Sequence, residues 1–278
     1  MLKGFDEISK CEAGATFFSA DLHVHSFGHS SDVKDTAMTV ESVVDAALAK
    51  GLGLLSITDH NNDGQVAKSL AYASQYSSQL LVVPGVELTT ANGHLLIYCD
   101  PAQPDQVTTL LAKVDLKGPK GGRDTHTSWS MADVIGLSNE LGAIAVAAHI
   151  DREKTGFEAL VEGYPHFKKD IVLSEGLYGL ELDDVTNLAW YSPEDSGSDA
   201  AGERRAILQQ RVARLEFGVA RLAAIQGSDA HTLKAFENNT RLTRFKMNDL
   251  SFGGLRTALI DSEARVRVAG DKPRVHDP

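Results

Sequence analysis

The sequence of 278 residues contains little cysteine and no long hydrophobic segment. Its two cysteines, Cys11 and Cys99, are too few for a disulfide framework, so we expect a reduced, cytoplasmic setting. No apolar run approaches the roughly 18 residues that span a bilayer. The N-terminal segment, residues 1–7, lacks the apolar core of a secretory signal. These absences predict a chain that makes no contact with a membrane.

Positive charge is also scarce, and a nucleotide-binding loop is missing. Lys and Arg number 27 against 38 Asp and Glu, which gives a net charge of −11 at pH 7. Broad binding to a nucleic-acid backbone requires a dense Lys/Arg surface, so the composition argues against it. A phosphorylated substrate remains compatible, because bound divalent cations reverse the local charge of a site. Without a Gly-x-x-x-x-Gly-Lys-Ser/Thr segment, we predict no ATPase activity in this chain.

The sequence does contain a regular alternation of short apolar runs and amphipathic segments. Thr39 is placed to cap a helix, Gly51 is placed to end it, and residues 54–57 follow as a buried strand. The same order recurs further along the chain. Predicted strands cover residues 80–84 (leading to Glu87), 143–148, 177–182, 222–226 and 266–268. Predicted helices cover residues 63–76 (capped by Asp63), 103–114 and 130–141, and one with Leu208, Val212, Leu215 and Val219 on one face.

Repeated strand–helix units predict a single domain. Parallel strands require such crossovers, and a ring of them gives an α/β barrel. We assign residues 17–268 to this barrel, residues 1–16 to an N-terminal arm and residues 269–278 to a C-terminal tail. The pattern shows no second domain and no internal repeat.

Polar side chains, many of them histidine, stand at the ends of these strands. His23 and His25 lie at i and i+2 of the first strand, so both face the same side and can reach one ion. The other candidates are His60, Glu87, His94, His149, Asp229 and His231. One such pair alone would be read as a solvated strand end. Because the carboxyl ends of barrel strands face one mouth, four such clusters indicate a metal site.

These motifs resemble those of the PHP (polymerase and histidinol phosphatase) family. The matching segments are Asp21-Leu22-His23-Val24-His25-Ser26, Thr58-Asp59-His60-Asn61, Pro84-Gly85-Val86-Glu87, Ala148-His149 and Gly227-Ser228-Asp229-Ala230-His231. The resemblance implies a distorted (β/α)7 TIM-like barrel with metal-dependent phosphoesterase activity. A finer resemblance, carried by residues 241–247 and 255–259, is to PHP domains that precede an AAA or SMC-like ATPase. It implies an ATPase partner, for a chain that is either a fragment or a stand-alone relative.

The resemblance also assigns each ligand to one of three divalent ions. The set for the first ion is His23, His25, Glu87 and Asp229. All four are also the expected catalytic residues. The set for the second ion is Glu87, as a bridge, with His94 and His149. The set for the third ion is His60, His231 and one ligand from the loop after His25, with Asp32 preferred and His29 as the alternative.

Six histidines with three carboxylates suit Zn, Mn or Fe better than Ca or Mg, so we expect two to three such ions. Asp59 is expected to orient the neighbouring ligand His60. Arg123 and Arg152 are candidates for binding substrate phosphate, although the basic loop at residues 117–124 can equally be a solvated loop. Three carboxylates are expected to be structural or solvated: Glu181, Asp183 and Asp184.

The leading hypothesis is a phosphoesterase in which a metal-bridging hydroxide attacks phosphorus in line. The expected substrate is a small phosphate ester, a nucleotide or a short single-stranded nucleic acid, because the acidic surface offers little to hold a long duplex. One alternative is a non-catalytic, metal-stabilised module that docks an ATPase or a nucleic-acid-processing partner. A further alternative is amide or lactone hydrolysis. The presence of every motif ligand favours catalysis.

Overall fold

The computed structural model describes residues 14–215 and 220–268. Within these ranges the chain forms a mixed α/β fold of a single domain with ten strands and nine α-helices. Most of the predicted N-terminal arm, the whole predicted tail, Cys11 and Val219 lie outside the described residues. Among the described helices, none has the length and apolar character that crossing a bilayer demands.

The elements have the following bounds. The strands are β1 Thr16–Val24, β2 Leu54–Ile57, β3 Leu81–Val82, β4 Gly85–Thr90, β5 Gly93–Tyr98, β6 Ile144–Ala147, β7 Leu177–Glu181, β8 Ala223–Ile225, β9 Thr243–Met247 and β10 Val266–Val268. The α-helices are α1 Val40–Ala49, α2 Val66–Ala73, α3 Asp105–Lys113, α4 Met131–Glu140, α5 His166–Leu173, α6 Ala201–Arg214, α7 Leu233–Asn238, α8 Phe252–Ile260 and α9 Ser262–Arg265. Short 3₁₀ turns cover Ser74–Tyr76 and Val185–Asn187.

The strands form two five-stranded sheets, with the orders β10-β9-β1-β2-β3 and β4-β5-β6-β7-β8. Parallel pairs run through β1-β2-β3 and β6-β7-β8, whereas β9 and β10 and the β4-β5-β6 segment are antiparallel. Single bridges between Val24 and Ala230 and between His60 and Glu87 join the two sheets at one end. Within residues 14–215 and 220–268, no continuous ladder closes the two sheets into a ring. The α/β single-domain prediction is therefore confirmed, and the distorted barrel stays a prediction.

Several local sequence signals produce the predicted elements. The Thr39 hydroxyl accepts a hydrogen bond of 3.2 Å from the Ser42 N–H at the start of α1, as a helix cap requires. Gly51, just beyond the end of α1, has a φ of +67° that favours glycine. Ser130 caps α4 in the same way, through a 3.1 Å bond from the Asp133 N–H.

Two local predictions were wrong. The strand expected over residues 80–84 shrinks to β3, and Glu87 lies in the separate strand β4. Pro84 stands between them, and it has no N–H to continue the ladder. Asp63 does not cap α2, which begins at Val66 without a side-chain cap. The Asp63 carboxylate instead accepts hydrogen bonds of 2.6 Å from Thr108 and from Lys120.

The two sheets share a hydrophobic core that fixes their relative position. Buried side chains from both sheets pack in one cluster, including Leu22 of β1, Leu96 of β5 and Val146 of β6. The Tyr98 hydroxyl of β5 crosses this core and donates a 2.9 Å hydrogen bond to the Leu22 carbonyl of β1. β1 and β5 belong to different sheets. The shared core therefore fixes the position of one sheet against the other, and with it the strand ends that carry the histidines.

A buried ionic cluster ties α6 to the segments that follow β6 and β7. The Arg204 guanidinium donates two hydrogen bonds, of 2.6 and 2.8 Å, to the carboxylate of Asp195 and a third, of 3.4 Å, to Glu158. Glu158 also accepts a 2.9 Å bond from the Tyr191 hydroxyl. All four side chains are buried. Charges in such a place are tolerated only while they are paired.

Arg204→Met should therefore destabilise the fold, because it leaves Asp195 buried without its cation and leaves Glu158 with only Lys168, at 3.7 Å. The expected loss is about 3–5 kcal/mol in the free energy of unfolding, measured by urea titration. The matched control is Arg214→Met, at an exposed position near the end of the same helix, with an expected change within about 0.5 kcal/mol. Equal stability of the two variants would contradict a structural role for the cluster.

Candidate metal centre

The polar side chains converge because they lie in or next to strands that end at the same edge of the two sheets. His23 and His25 come from the end of β1, His60 follows β2, and Glu87 lies in β4. The remaining members are His94 in β5, His149 after β6, and Asp229 and His231 after β8. Three of the connections turn sharply at non-glycine residues with positive φ, which are Asn61 at 50°, His149 at 27° and Asp229 at 48°. Such conformations are sparsely populated and occur often at functional sites.

The fully buried carboxylate of Glu87 occupies the middle of this cluster. The histidine nitrogens around it are His94 Nδ1 at 2.8 Å, His149 Nε2 at 2.9 Å, His60 Nδ1 at 3.0 Å, His23 Nε2 at 3.2 Å and His25 Nε2 at 3.4 Å. Five imidazoles around one carboxylate form a mixed nitrogen and oxygen donor set, which transition metals prefer.

Asp229 supplies a second carboxylate to the same nitrogens of His23 and His25. Its Oδ1 lies 3.0 Å from His25 Nε2 and 3.4 Å from His23 Nε2. One ligand atom from each of the four residues expected at the first ion, including Glu87, lies within 4.8 Å of the others. The structure thus brings together the four residues that the resemblance assigns to the first ion.

The sets expected for the other two ions are also close together, but they overlap. His60, Glu87 and His94 form one group with ligand atoms within 4.8 Å, and His25, His60 and His231 form another. His149 reaches the cluster through Glu87. His60 therefore lies between the positions expected for the second and third ions.

The loop after His25 contributes Asp32 rather than His29. Asp32 Oδ2 lies 3.2 Å from both His60 Nε2 and His231 Nε2. The His29 ring lies 3.0 Å from the Ser26 hydroxyl through its Nδ1. Of the two alternatives, Asp32 is the one that the structure places beside His60 and His231.

The carboxylates set the protonation of the histidines around them. Burial acts to lower the pKa of His23, but Glu181, Glu87 and Asp229 outweigh it and hold that pKa well above its ordinary value. Burial also opposes the charge of His60, yet Glu87 and Asp32 raise its pKa to about 10. These shifts show that the site attracts positive charge.

The histidines in turn keep the carboxylates ionised. Burial acts to raise the pKa of Glu87, but His60, His23 and His94 hold it well below the ordinary value. The pKa of Asp229 is likewise lowered, with burial outweighed by His23 and His25. His25 differs, because burial and the nearby His60 lower its pKa to about 3 and keep the ring neutral. Ionised carboxylates beside a neutral imidazole are the protonation states that a metal ion needs.

Two buried atoms at the centre test whether a cation fits. Glu87 Oε2 and His23 Nε2 lie 3.2 Å apart, yet neither has a hydrogen-bond partner within the described structure. Buried polar atoms are otherwise almost always paired. A divalent cation that replaces the Nε2 proton of His23 would satisfy one lone pair on each of these two atoms. The residues present therefore fit a metal ion.

Asp59 positions a loop rather than the ring of a ligand. Its carboxylate accepts hydrogen bonds from the Ser26 N–H at 2.7 Å and from the Ser30 hydroxyl at 2.6 Å. The Ser30 oxygen in turn accepts a 3.0 Å bond from the His60 N–H. Asp59 thus acts on His60 through Ser30 and fixes the start of the loop that carries Asp32.

Two arginines stand at the rim of the cluster, and only one of them, Arg152, was among the candidates named from the sequence. Arg152 donates to Asp229 and, at 2.7 Å, to Asp183. Arg241, which no motif singled out as a site residue, donates to Asp183 at 3.1 Å and to the Ser228 carbonyl at 3.0 Å. Arg123 is exposed on the basic loop and has no described contact with the cluster.

Glu181 is the second residue that sequence reasoning missed. It was expected to be structural or solvated, but it is buried and its Oε2 lies 2.8 Å from His23 Nδ1. Its place at the end of β7 follows the same rule that identified the other ligands. Its strand carries no histidine at that point, so the signal was weak.

Fold and site together define an α/β protein with a cluster of histidines and carboxylates suited to metal binding. The family model of the PHP domain matches residues 21–182, which is more than half of the chain. The chain therefore belongs to the PHP domain family.

Individual relatives match the chain to different extents. A 3′,5′-nucleoside bisphosphate phosphatase of Chromobacterium violaceum is 34% identical over 89 residues, which cover 30% of this chain and 29% of that protein. The lesion-specific endonuclease Q of Pyrococcus furiosus has a TM-score of 0.61 at 17% identity, over 91% of this chain and 58% of that one. A two-domain Bacteroides vulgatus protein, described as containing a predicted PHP-like metal-dependent phosphoesterase, has a TM-score of 0.56 at 16% identity, over 92% and 65%.

These comparisons support a hydrolase activity and a phosphoesterase family. The two solved structures show likeness of fold alone, because their identity to this chain is low. The chain spans 58% of the length of the endonuclease, and its match covers 29% of the phosphatase. The likeness to PHP domains that precede an ATPase stays a prediction.

Glu87→Gln should abolish most of the stabilisation that a divalent metal gives the protein. With metal at a hundred times its dissociation constant, the wild-type midpoint should rise by about 5–10 °C over the chelated protein. The neutral amide removes the central charge, so the metal-dependent rise should largely disappear in a thermal unfolding scan. Glu140→Gln, at the exposed end of α4, should retain the full rise. A wild-type response in Glu87→Gln would contradict the central role of this carboxylate.

Asp32→Asn and His29→Ala separate the two candidates for the loop ligand. Asp32 faces His60 and His231, so Asp32→Asn should lower the metal content of dialysed protein by about one equivalent per chain. Elemental mass spectrometry measures this content. His29→Ala should keep the wild-type content. The reverse result would assign the ligand to His29.

Proposed function

We propose that this chain is a metal-dependent phosphoesterase that acts on a nucleotide or a short nucleic acid. The observation that carries the proposal is the pair of unpartnered buried atoms, Glu87 Oε2 and His23 Nε2, within a group of five imidazoles. The residues that would hold two to three ions of Zn, Mn or Fe are His23, His25, Asp32, His60, Glu87, His94, His149, Asp229 and His231. Such ions supply Lewis acidity toward phosphoryl oxygens and lower the pKa of water.

The described side chains near the centre favour water over a protein nucleophile. Cys99 is fully buried, and burial raises the pKa of its thiol to about 12, so a thiolate does not form. The Ser26 and Ser30 hydroxyls donate to Asp59. The Ser228 hydroxyl donates to the His23 carbonyl at 3.1 Å. Each of these three hydroxyls already donates its proton to a protein acceptor, so direct attack by water fits the site best.

Exposure indicates the side from which a substrate approaches. His23, His25 and Glu87 are fully buried, whereas Asp32, His231 and Arg152 are each about 30% exposed. The open rim therefore runs along these three residues and Arg241. Arginine binds phosphate oxygens through its planar fork of donors. Arg152, held by Asp183 and Asp229, is the better placed of the two arginines expected to bind phosphate.

The substrate class rests on charge and on the relatives. One relative is named for a nucleoside 3′,5′-bisphosphate, and a solved endonuclease Q structure contains duplex DNA with an abasic lesion. The net charge of −11 disfavours a long duplex, since this chain offers little basic surface to neutralise its phosphates. We therefore favour nucleotides and short single strands. The predicted ATPase partner and the cytoplasmic setting stay predictions.

The test is turnover on nucleoside monophosphates, nucleoside 3′,5′-bisphosphates, short single strands and a duplex with an abasic site, with Mn or Zn added. We expect hydrolysis of a nucleotide or a single strand that a chelator abolishes and metal restores. Absence of turnover on every substrate by metal-loaded protein would contradict the proposal.

Arg152→Gln should lower kcat/KM by roughly 10- to 100-fold, because a charge-assisted hydrogen bond to phosphate is lost. The matched control is Lys154→Gln, an exposed cation two residues away, which should leave kcat/KM near the wild-type value. Arg123→Gln tests the other candidate and should have a smaller effect than Arg152→Gln. A larger effect at Arg123 would move the phosphate contact to the basic loop.

A further inference from the structure

Glu181 lies on the opposite side of the His23 ring from the metal centre. His23 Nδ1 lies 2.8 Å from Glu181 Oε2, and His23 Nε2 lies 3.2 Å from Glu87 Oε2. A ring nitrogen that donates to a carboxylate leaves only the other nitrogen free to bind a cation. The contact with Glu181 therefore selects Nε2 of His23 as the atom that faces the centre.

The same oxygen of Glu181 holds a second candidate ligand. Oε2 accepts a 3.1 Å hydrogen bond from the backbone N–H of His149, and the Glu181 carbonyl accepts a 2.9 Å bond from the Ile150 N–H. His149 has a φ of 27°, a conformation that a non-glycine residue adopts only when its surroundings impose it. Glu181 thus fixes the turn that brings His149 to Glu87.

Three of the other histidines have weaker support on the ring nitrogen that does not face Glu87 or Asp32. His25 Nδ1 lies 3.4 Å from the Ser30 hydroxyl, and His149 Nδ1 lies 3.3 Å from the Thr155 hydroxyl. For His231, Nδ1 lies 2.9 Å from the Asp229 carbonyl. These partners are neutral. The partner of His23 Nδ1 is a carboxylate, and hydrogen bonds to an ionised group are roughly twice as strong as neutral ones.

The absence of a side chain at Gly227 leaves room for the carboxylate of Glu181. A Cβ at Gly227 would lie 2.7 Å from Glu181 Oε1 and 2.8 Å from the Cβ of His23. Any side chain at position 227 would therefore push Glu181 and His23 apart. Gly227 directly precedes the segment that carries Asp229 and His231, so a larger residue would also move those ligands.

We propose that Glu181 is a positioning residue that fixes the ring of His23 and the turn at His149, and so tightens metal binding at both. The inference rests on the proposed metal centre. Carboxylates that orient a metal-binding histidine typically contribute 10- to 100-fold in metal affinity. A side chain in the β7 strand would then control ligands that come from the ends of β1 and β6.

The test compares Glu181→Gln with wild type in a competition titration of Zn against a chelating indicator. The amide keeps the size of the side chain but loses its charge, so the tightest dissociation constant should weaken by about 10- to 100-fold. The number of ions bound at saturating Zn should stay unchanged, because Glu181 is not itself a ligand. The matched control is Glu175→Gln, an exposed glutamate just before β7, with no expected change in affinity.

A spectroscopic reading separates positioning from a general loss of stability. In the Zn-loaded wild type, long-range ¹H–¹⁵N correlations of the His23 ring should show a protonated Nδ1 and a metal-bound Nε2. In Glu181→Gln the same ring should show broadened or shifted signals, as the fixed tautomer is lost.

Each result decides one question. Wild-type protein that binds no Zn contradicts the metal centre and therefore the proposed function. If wild type binds Zn and Glu181→Gln has the same affinity and spectrum, the positioning role is overturned and the proposed function stands. A loss of one whole ion at saturation also overturns it, because Glu181 would then be a ligand. If Glu181→Gln does not fold, Glu181→Asp replaces it, and an unchanged affinity there would overturn the role equally.

Discussion

The buried carboxylate of Glu87 requires positive charge around it, and the arrangement of the strand ends follows from this requirement. An isolated ionised carboxylate in a protein interior is far too costly to maintain. Here imidazoles from four different strand ends surround it. More imidazole nitrogens lie near the two oxygens of Glu87 than can hydrogen-bond to them at the same time. Divalent cations bound between the imidazole nitrogens and the carboxylate would use these nitrogens as ligands.

The rest of the fold holds these strand ends in place. The two sheets are joined at that end by single bridges, one of which is between His60 and Glu87. Away from the strand ends, a shared core and the hydrogen bond from Tyr98 to Leu22 fix the position of the two sheets relative to each other. The site thus depends on contacts between sheets rather than on a continuous ladder. Asp59, Asp183 and Glu181 then orient the loop, the rim arginines and the ligand rings.

Local chemistry explains what the sequence predicted. The spacing of His23 and His25, the cap at Thr39 and the histidine after the apolar strand β6 each follow from short-range rules, so the α/β class and the convergence of the cluster were predictable. The break at Pro84 was misread because a two-residue strand leaves almost no periodic signal. Arg241 and Glu181 were missed because their roles arise from contacts with residues distant in sequence, such as Asp183 and His23. The sequence already favoured Asp32 over His29, and the loop geometry places Asp32 beside His60 and His231.

The most direct test of this account is the number of divalent ions bound per chain of wild-type protein purified without chelators and measured by elemental mass spectrometry. The account predicts two to three equivalents of Zn, Mn or Fe, retained through dialysis and removed by a strong chelator. A protein that contains no metal, and takes up none after incubation with each of these ions, would contradict it. The carboxylate at the centre would then be balanced by protonated histidines alone.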